Sequence, residues 1–146
     1  MLSVVVARGN PDRLAGLLAA LTGAAVEGLV RDVTLVRGAP PELFDALCEA
    51  TGANLADDLA QAIARARSDW ILVAPPELRL RDGWVERLGD HLRDGGREAR
   101  LKGLGEGLFR GAPQGVLVSR SRAAASAQGG LQQISRKLGR GARRLG

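Results

Sequence analysis

The sequence predicts a three-layer α/β/α domain built on a mainly parallel sheet, and three observations carry that prediction. Two nearly continuous apolar runs, at residues 2–7 and 70–73, read as strands buried on both faces. Segments with apolar side chains at helical spacing lie between and after them. Strand and helix signals then alternate along residues 2–92, the order that places helices on both sides of a parallel sheet. With 146 residues, 45% hydrophobic and 25% charged, the chain suits one domain with a substantial core.

The elements follow in order. The run from Leu2 to Ala7 is the first strand, and Arg8 and Gly9 break it. Asn10 is a good N-cap, and Pro11 falls at the first helical position, where its missing N–H costs nothing. Leu14, Leu17, Leu18 and Leu21 form one face of the helix predicted over 11–22, which stops near Gly23. The second strand spans about 32–36 and is interrupted by Gly38, Ala39, Pro40 and Pro41. A short helix follows with Leu43, Phe44 and Leu47 inward, ending at Gly52. Asn54 is expected to cap the next helix, with Asp57 and Asp58 in its first turn, where the dipole favours anions. Its apolar stripe is Leu55, Leu59, Ile63 and Ala66. Trp70–Val73 is the third strand, stopped by Pro75 and Pro76. Asp82 is expected to cap a helix burying Trp84, Val85, Leu88 and Leu92, closed by Asp94, Gly95 and Gly96. Six glycines between positions 95 and 111 predict loop over 95–114. Gly115–Ser119 is the last expected strand, so the domain is read as 1–119, with 120–146 a flexible basic tail.

Composition excludes several functions. Aromatic residues are 3% of the chain, with no Tyr, which leaves little material for stacking single-stranded nucleic acid or carbohydrate. The lone Cys48 permits no internal disulfide and no cysteine zinc cluster, and its place in an apolar helix pattern reads as core. No run is long and apolar enough to span a bilayer, and the N-terminal pattern is not that of a signal peptide, so the expected compartment is the cytoplasm. Charge is divided unevenly: residues 1–96 carry 10 Lys+Arg against 14 Asp+Glu, and residues 97–146 carry 11 against 2. The basic third favours an anionic partner.

Several local strings, in order, resemble the nucleotide-binding half of family 2 glycosyltransferases, which have the A-type nucleotide-sugar (Rossmann-like) topology. The family opens with a strand reading roughly S-V-V-I-P-T-x-N, and residues 3–10 here read SVVVARGN. Its second strand reads V-I-V-V-D-D-G-S, against VTLVRGAP at 33–40. Its A-x-G-D-W/Y string before a strand running into D-A-D is matched by ARSDW at 66–70, leading through ILV to APPE at 74–77. The later G-W is matched by Gly83 and Trp84. The resemblance covers about residues 2–92, with a weaker echo at Gly115–Arg120.

That resemblance implies a donor site at the carboxyl ends of the strands, and also where this chain departs from it. Arg37 and Gly38 stand where the family's second-strand carboxylates receive base and ribose. Pro75, Pro76 and Glu77 align with the D-A-D triplet that chelates Mg²⁺ or Mn²⁺ on the donor diphosphate, so one acid of that set remains. The family's Arg and Asn on the preceding helix fall at Leu55 and Ala60. The acceptor half, with its catalytic carboxylate, would begin where this chain stops. The implied protein is a degenerate member without a bound metal or cofactor, a binding or scaffolding module beside another glycosyltransferase. The alternative is an active nucleotide-sugar transferase with a reduced, metal-independent site of Arg8, Asn10, Arg37 and Glu77. Arg8 and Arg37 also suit a phosphate at the carboxyl edge of the sheet.

Other candidates have plainer readings. His91 lacks a Ser, Cys or ligand partner at diagnostic spacing and reads as structural. Asp57 and Asp58 read as complements of the helix dipole. Gly103, Gly105 and Gly107 resemble a phosphate loop but neither follow a clear strand nor open a clear helix. Arg136, Lys137, Arg140, Arg143 and Arg144, with Leu131, Ile134 and Leu138 near helical spacing, suit an amphipathic helix on an anionic membrane at the inner surface. Glycines at 129, 130, 139 and 141 weaken that helix, and a solvated tail is the bland alternative. Nucleic acid has the charge but no recognition motif in its favour.

Overall fold

The computed structural model describes residues 1–104, 113–127, 130–138 and 142–145. Its centre is the strand predicted first. β1 (Leu2–Val6) is buried at every position, and its side chains alternate between two cores. Leu2, Val4 and Val6 enter one, Val5 the other, so helices must cover both faces. β2 (Val30–Val36) and β4 (Trp70–Ala74) flank β1, both parallel to it, as expected.

With β3 (Asn54–Ala56), β5 (Ala99–Lys102), β6 (Gln114–Ser119) and β7 (Arg143–Leu145), the seven-stranded sheet has the order β3-β2-β1-β4-β6-β5-β7. β6 runs against β4 and β5, and β7 pairs parallel to β5. Six strands therefore share one direction and β6 opposes them. One face carries α1 (Leu14–Val26), α2 (Pro41–Thr51) and α4 (Trp84–Arg93), through Leu14, Leu17, Leu18, Leu21, Phe44, Trp84 and Leu88. The other carries α3 (Leu59–Arg65), α5 (Arg120–Ser126) and α6 (Gly130–Leu138), through Leu59, Ile63, Ala123 and Ile134. This is the three-layer, mainly parallel arrangement that the alternation predicts.

Five expectations need correction. The first helix opens with a 3-10 turn, Pro11–Arg13, and runs past Gly23 to Val26. Asn54 caps nothing: β3 (Asn54–Ala56) pairs with Thr34–Val36, so Leu55 belongs to an edge strand rather than a helical stripe. The cap is Asp58, which accepts from Gln61 N at 2.8 Å, while Gln61 Oε1 accepts from Asp57 N at 2.7 Å. Asp82 does not cap α4. Gly83 occupies that position at φ +79°, a left-handed conformation only glycine adopts freely. Within the stretch expected as loop, β5 alternates Ala99 and Leu101 inward with Arg100 and Lys102 toward the opposite face. Residues 105–112 lie outside the described residues.

The last correction is the largest. The expected tail supplies α5, α6 and β7, and Ala123, Ile134 and Leu145 are buried in the two cores. Polar contacts tie it down as well. Arg120 donates twice to Ser68 O, at 3.1 and 2.9 Å, and Arg100 on β5 grips the hydroxyl and, at 2.7 Å, the carbonyl of Ser135. The apolar side chains of α6 at Leu131, Ile134 and Leu138 all pack on the α3/α5 core.

Candidate functional site

Parallel strands bring their carboxyl ends, and the loops that leave them, to one edge. There the sequence places all four candidate residues: Arg8 and Asn10 after β1, Arg37 after β2, Glu77 after β4. They form two separate clusters. In the first, Arg8 Nε donates to Arg37 O at 3.1 Å and its Nη2 to Asp57 O at 3.0 Å, joining the ends of β1, β2 and β3. Arg37 in turn lies between Asp45 (Nη1 to Oδ1, 3.3 Å) and Asp57 (Nε to Oδ1, 3.6 Å). Both pairs are exposed, so water screens them and neither contributes much stability. Their effect is geometric. Two guanidinium groups that could face a phosphate are turned toward carbonyls and carboxylates of the protein.

In the second cluster, Glu77 Oε1 accepts the Asn10 backbone N–H at 2.6 Å, and Asn10 Oδ1 accepts from Asp12 N at 2.9 Å. A methyl group at Gly9 would lie 2.6 Å from Glu77 Oε1 and 2.8 Å from the Pro76 ring. Only glycine permits this closure of the β4 loop over the β1 loop. The Glu77 carboxylate is thus engaged on backbone, with prolines rather than acids beside it. Among the described residues, no three His, Cys, Asp or Glu side chains converge on a point that could hold a metal. A divalent ion does not fit this donor set.

Sequence reasoning missed one occupant of the edge. A Cβ at Gly38 would lie 2.8 Å from Phe44 Cζ and 3.0 Å from Cε2. The Phe44 ring, 2% exposed, fills the space beside this glycine. The signal was present as a Gly-x-x-x-x-x-Phe spacing, but Phe44 reads equally well as an ordinary core residue of α2.

What remains open at this edge is a cleft of about 710 Å³ on the α3/α6 side. Val36, Leu59, Pro75, Ala127 and Leu131 supply apolar walls, and Arg8, Asp58 and Gln132 the polar ones. Of the four candidates, only Arg8 lines it. The described part of the former tail is therefore a wall of the cleft.

The remaining candidates are placed as follows. Cys48 is half-buried, with Sγ 3.7 Å from Asn54 O. Burial pushes its thiol up, Asp45 adds to that and Arg37 opposes it, which disfavours the thiolate. His91 is 5% exposed on α4, with Nε2 2.6 Å from Arg97 O. Gly103 ends β5, where a Cβ would meet Leu78 Cδ1 at 2.6 Å, while Gly105 and Gly107 lie outside the described residues. Arg136, Lys137, Arg143 and Arg144 are exposed, and Arg140 lies outside the described residues. Among the described residues the apolar side chains of α6 pack on the protein core rather than beside the exposed Arg136 and Lys137. No helix among the described residues is long and apolar enough to cross a membrane.

No family model and no curated protein matches the chain. Solved structures do. A 4-diphosphocytidyl-2C-methyl-D-erythritol synthase superposes with a TM-score of 0.62 at 15% identity, covering 99% of this chain and 87% of its own. A synthase of the same name from Anaerococcus prevotii gives 0.57 at 9% identity, with the same coverage. A nucleotidyl transferase from Methanothermobacter gives 0.56 at 16% identity, covering 98% of this chain and 84% of its own. At such identities the likeness establishes the fold: a Rossmann-like α/β fold of nucleotidyltransferase type, related to the A-type nucleotide-sugar topology.

Proposed function

We propose that this chain is a binding or scaffolding module, derived from a nucleotide-sugar transferase of the family 2 glycosyltransferase kind, that performs no metal-dependent transfer itself. One observation carries the reading: the Glu77 carboxylate accepts Asn10 N–H at 2.6 Å instead of facing the cleft. Transfer from a nucleotide donor needs its leaving diphosphate neutralised and held. Here the aligned prolines offer no acid, the remaining acid is spent on backbone, and Phe44 fills the second-strand position. The structural neighbours are nucleotidyl transferases, which supports a nucleotide or a phosphate-bearing ligand as the kind of molecule the carboxyl-edge cleft takes. Arg8, which lines that cleft, would meet it.

The alternative, an active transferase with a metal-independent site, needs Arg8, Asn10, Arg37 and Glu77 to face one donor together. Their division between two self-bonded clusters weighs against it. Calorimetric titration with cytidine and uridine nucleotides and their sugar conjugates, with and without Mn²⁺, tests the proposal. The expected result is weak binding indifferent to Mn²⁺ and no turnover. Binding that requires Mn²⁺, or consumption of any donor, would return the chain to the enzymes.

A further inference from the structure

The opposite edge of the sheet holds a second cleft, of about 700 Å³, a volume typical of small-molecule sites. It is lined from the start of β4 (Trp70), the end of α4 (His91, Asp94), the entry to β5 (Arg97, Glu98), α5 (Arg122) and β7 (Arg143). We propose that this amino-edge cleft binds a small phosphate-bearing anion through Arg97 and Arg143, at a site independent of the carboxyl-edge cleft.

The charges in the cleft are unevenly spent. Arg122 is paired with Glu98. The side chains of Arg97 and Arg143 make no hydrogen bond or ion pair among the described residues; of the two acids lining the cleft, Glu98 is engaged by Arg122 and Asp94 is set against them. Two guanidinium forks on a concave wall suit phosphate oxygens, which they can grip in bidentate fashion.

Unpaired surface arginines alone would mean little; here a buried polar atom accompanies them. His91 Nδ1 is buried and has no partner among the described residues, while its Nε2 lies 2.6 Å from Arg97 O and 3.2 Å from Arg97 N. Buried polar atoms are nearly always satisfied, and His91 is one of the residues lining the cleft, so its Nδ1 is a bonding requirement left open beside the two arginines. The backbone also places Arg97 deliberately. Gly95 and Gly96 take φ of +103° and +43°, and a Cβ at Gly96 would touch the Trp70 indole at 3.4 Å. Gly96 N donates to His91 O at 3.1 Å, so the turn presenting Arg97 is fastened to both Trp70 and the end of α4.

Inorganic pyrophosphate is the probe, followed by calorimetry and by tryptophan fluorescence, since Trp70 lines the cleft. Wild-type protein should bind it saturably. R97Q, R143Q and the double variant should weaken binding, the double by about tenfold or more. The pair R136Q/K137Q removes equal charge from the exposed face of α6 and should change affinity by less than about threefold. R8Q removes a contact of the carboxyl-edge cleft, so it should leave in place the component of pyrophosphate binding that the R97Q/R143Q double variant weakens. Because the substituted arginines are exposed, circular dichroism should report an unchanged fold, and the single variants stand if the double does not. No saturable binding, equal loss in the R136Q/K137Q control, or loss through R8Q alone would each overturn the proposal. Failure of the nucleotide titration leaves this result unaffected, and the reverse also holds.

Discussion

Replacing Ile134 by alanine asks whether residues 120–146 belong to the fold or merely follow it. The side chain is 0% exposed and sits in the core shared with Val116, Val118, Ala123 and Ile63. The substitution removes everything beyond Cβ, about three methylene equivalents at about 0.8 kcal/mol each. A residual cavity adds to that, since α6 is held by Arg100 on Ser135 and cannot simply slide inward. The expected loss is about 3 kcal/mol. That is a large part of the stability of an ordinary domain, about 5–15 kcal/mol. Urea denaturation should show a lower midpoint with an unchanged slope, the mark of lost stability in a native state of similar compactness. R136A, about half a turn away on the exposed side of the same helix, should fall within about 0.5 kcal/mol of wild type. A loss below about 1 kcal/mol for I134A would mean that the helix contributes little packing, and would restore the picture of a solvated tail.

Three further outcomes follow from the same coordinates. S3A removes the acceptor of Arg67 N (3.1 Å) and Ser68 N (3.0 Å) and the donor to Asp32 (2.5 Å), so it should cost about 2 kcal/mol or more. A midpoint equal to wild type in the same urea titration would show that water replaces the hydroxyl. G38D, which restores an acid at the second-strand position, should destabilise by about 1–3 kcal/mol because Phe44 is already there, and should add no affinity for Mn²⁺ or a nucleotide sugar. Gain of either affinity would refute that reasoning. Cys48 should alkylate with a pH midpoint above that of free cysteine, lowered by D45N; a midpoint at or below the free value would contradict the burial argument. The sign for stability is that of a group held neutral in the fold. The contribution is present below the unfolded pKa and is lost as pH rises through the folded one.

The central sheet was legible because its strands announce themselves twice, in β-branched apolar runs and in the helices between them. The carboxyl-edge candidates were legible as positions, since a strand end fixes where Arg8, Arg37 and Glu77 emerge. Their orientation was not. Whether Glu77 faces a cleft or a backbone N–H depends on Gly9 being small enough to admit it, a contact across 67 positions in sequence. β3 was missed because three residues of an edge strand carry almost no periodicity, and Asn54 has a capping residue's chemistry. β5 was missed although Ala99-Arg100-Leu101-Lys102 alternates perfectly, because the glycines around it outweighed four residues. The tail misled through composition. Arginine and glycine suggest disorder on average, yet single residues, Ile134 and Leu145, decide whether such a segment docks.

The two outermost strands of the sheet, β3 and β7, are each three residues long. An open edge offers unpaired N–H and C=O groups to any extended chain, including another copy of itself. At β7 that edge displays Arg143 and Arg144, both exposed. Two such edges approaching one another would bring four guanidinium groups together before a single ladder bond formed. Arg143 and Arg144 therefore stand where gatekeeper charges oppose edge-to-edge pairing. R143T/R144T, which exchanges charge for β-branched side chains, should raise light scattering on gentle heating at a temperature below the unfolding transition. Arginine at the last strand would then be a safeguard of solubility, whatever else it binds.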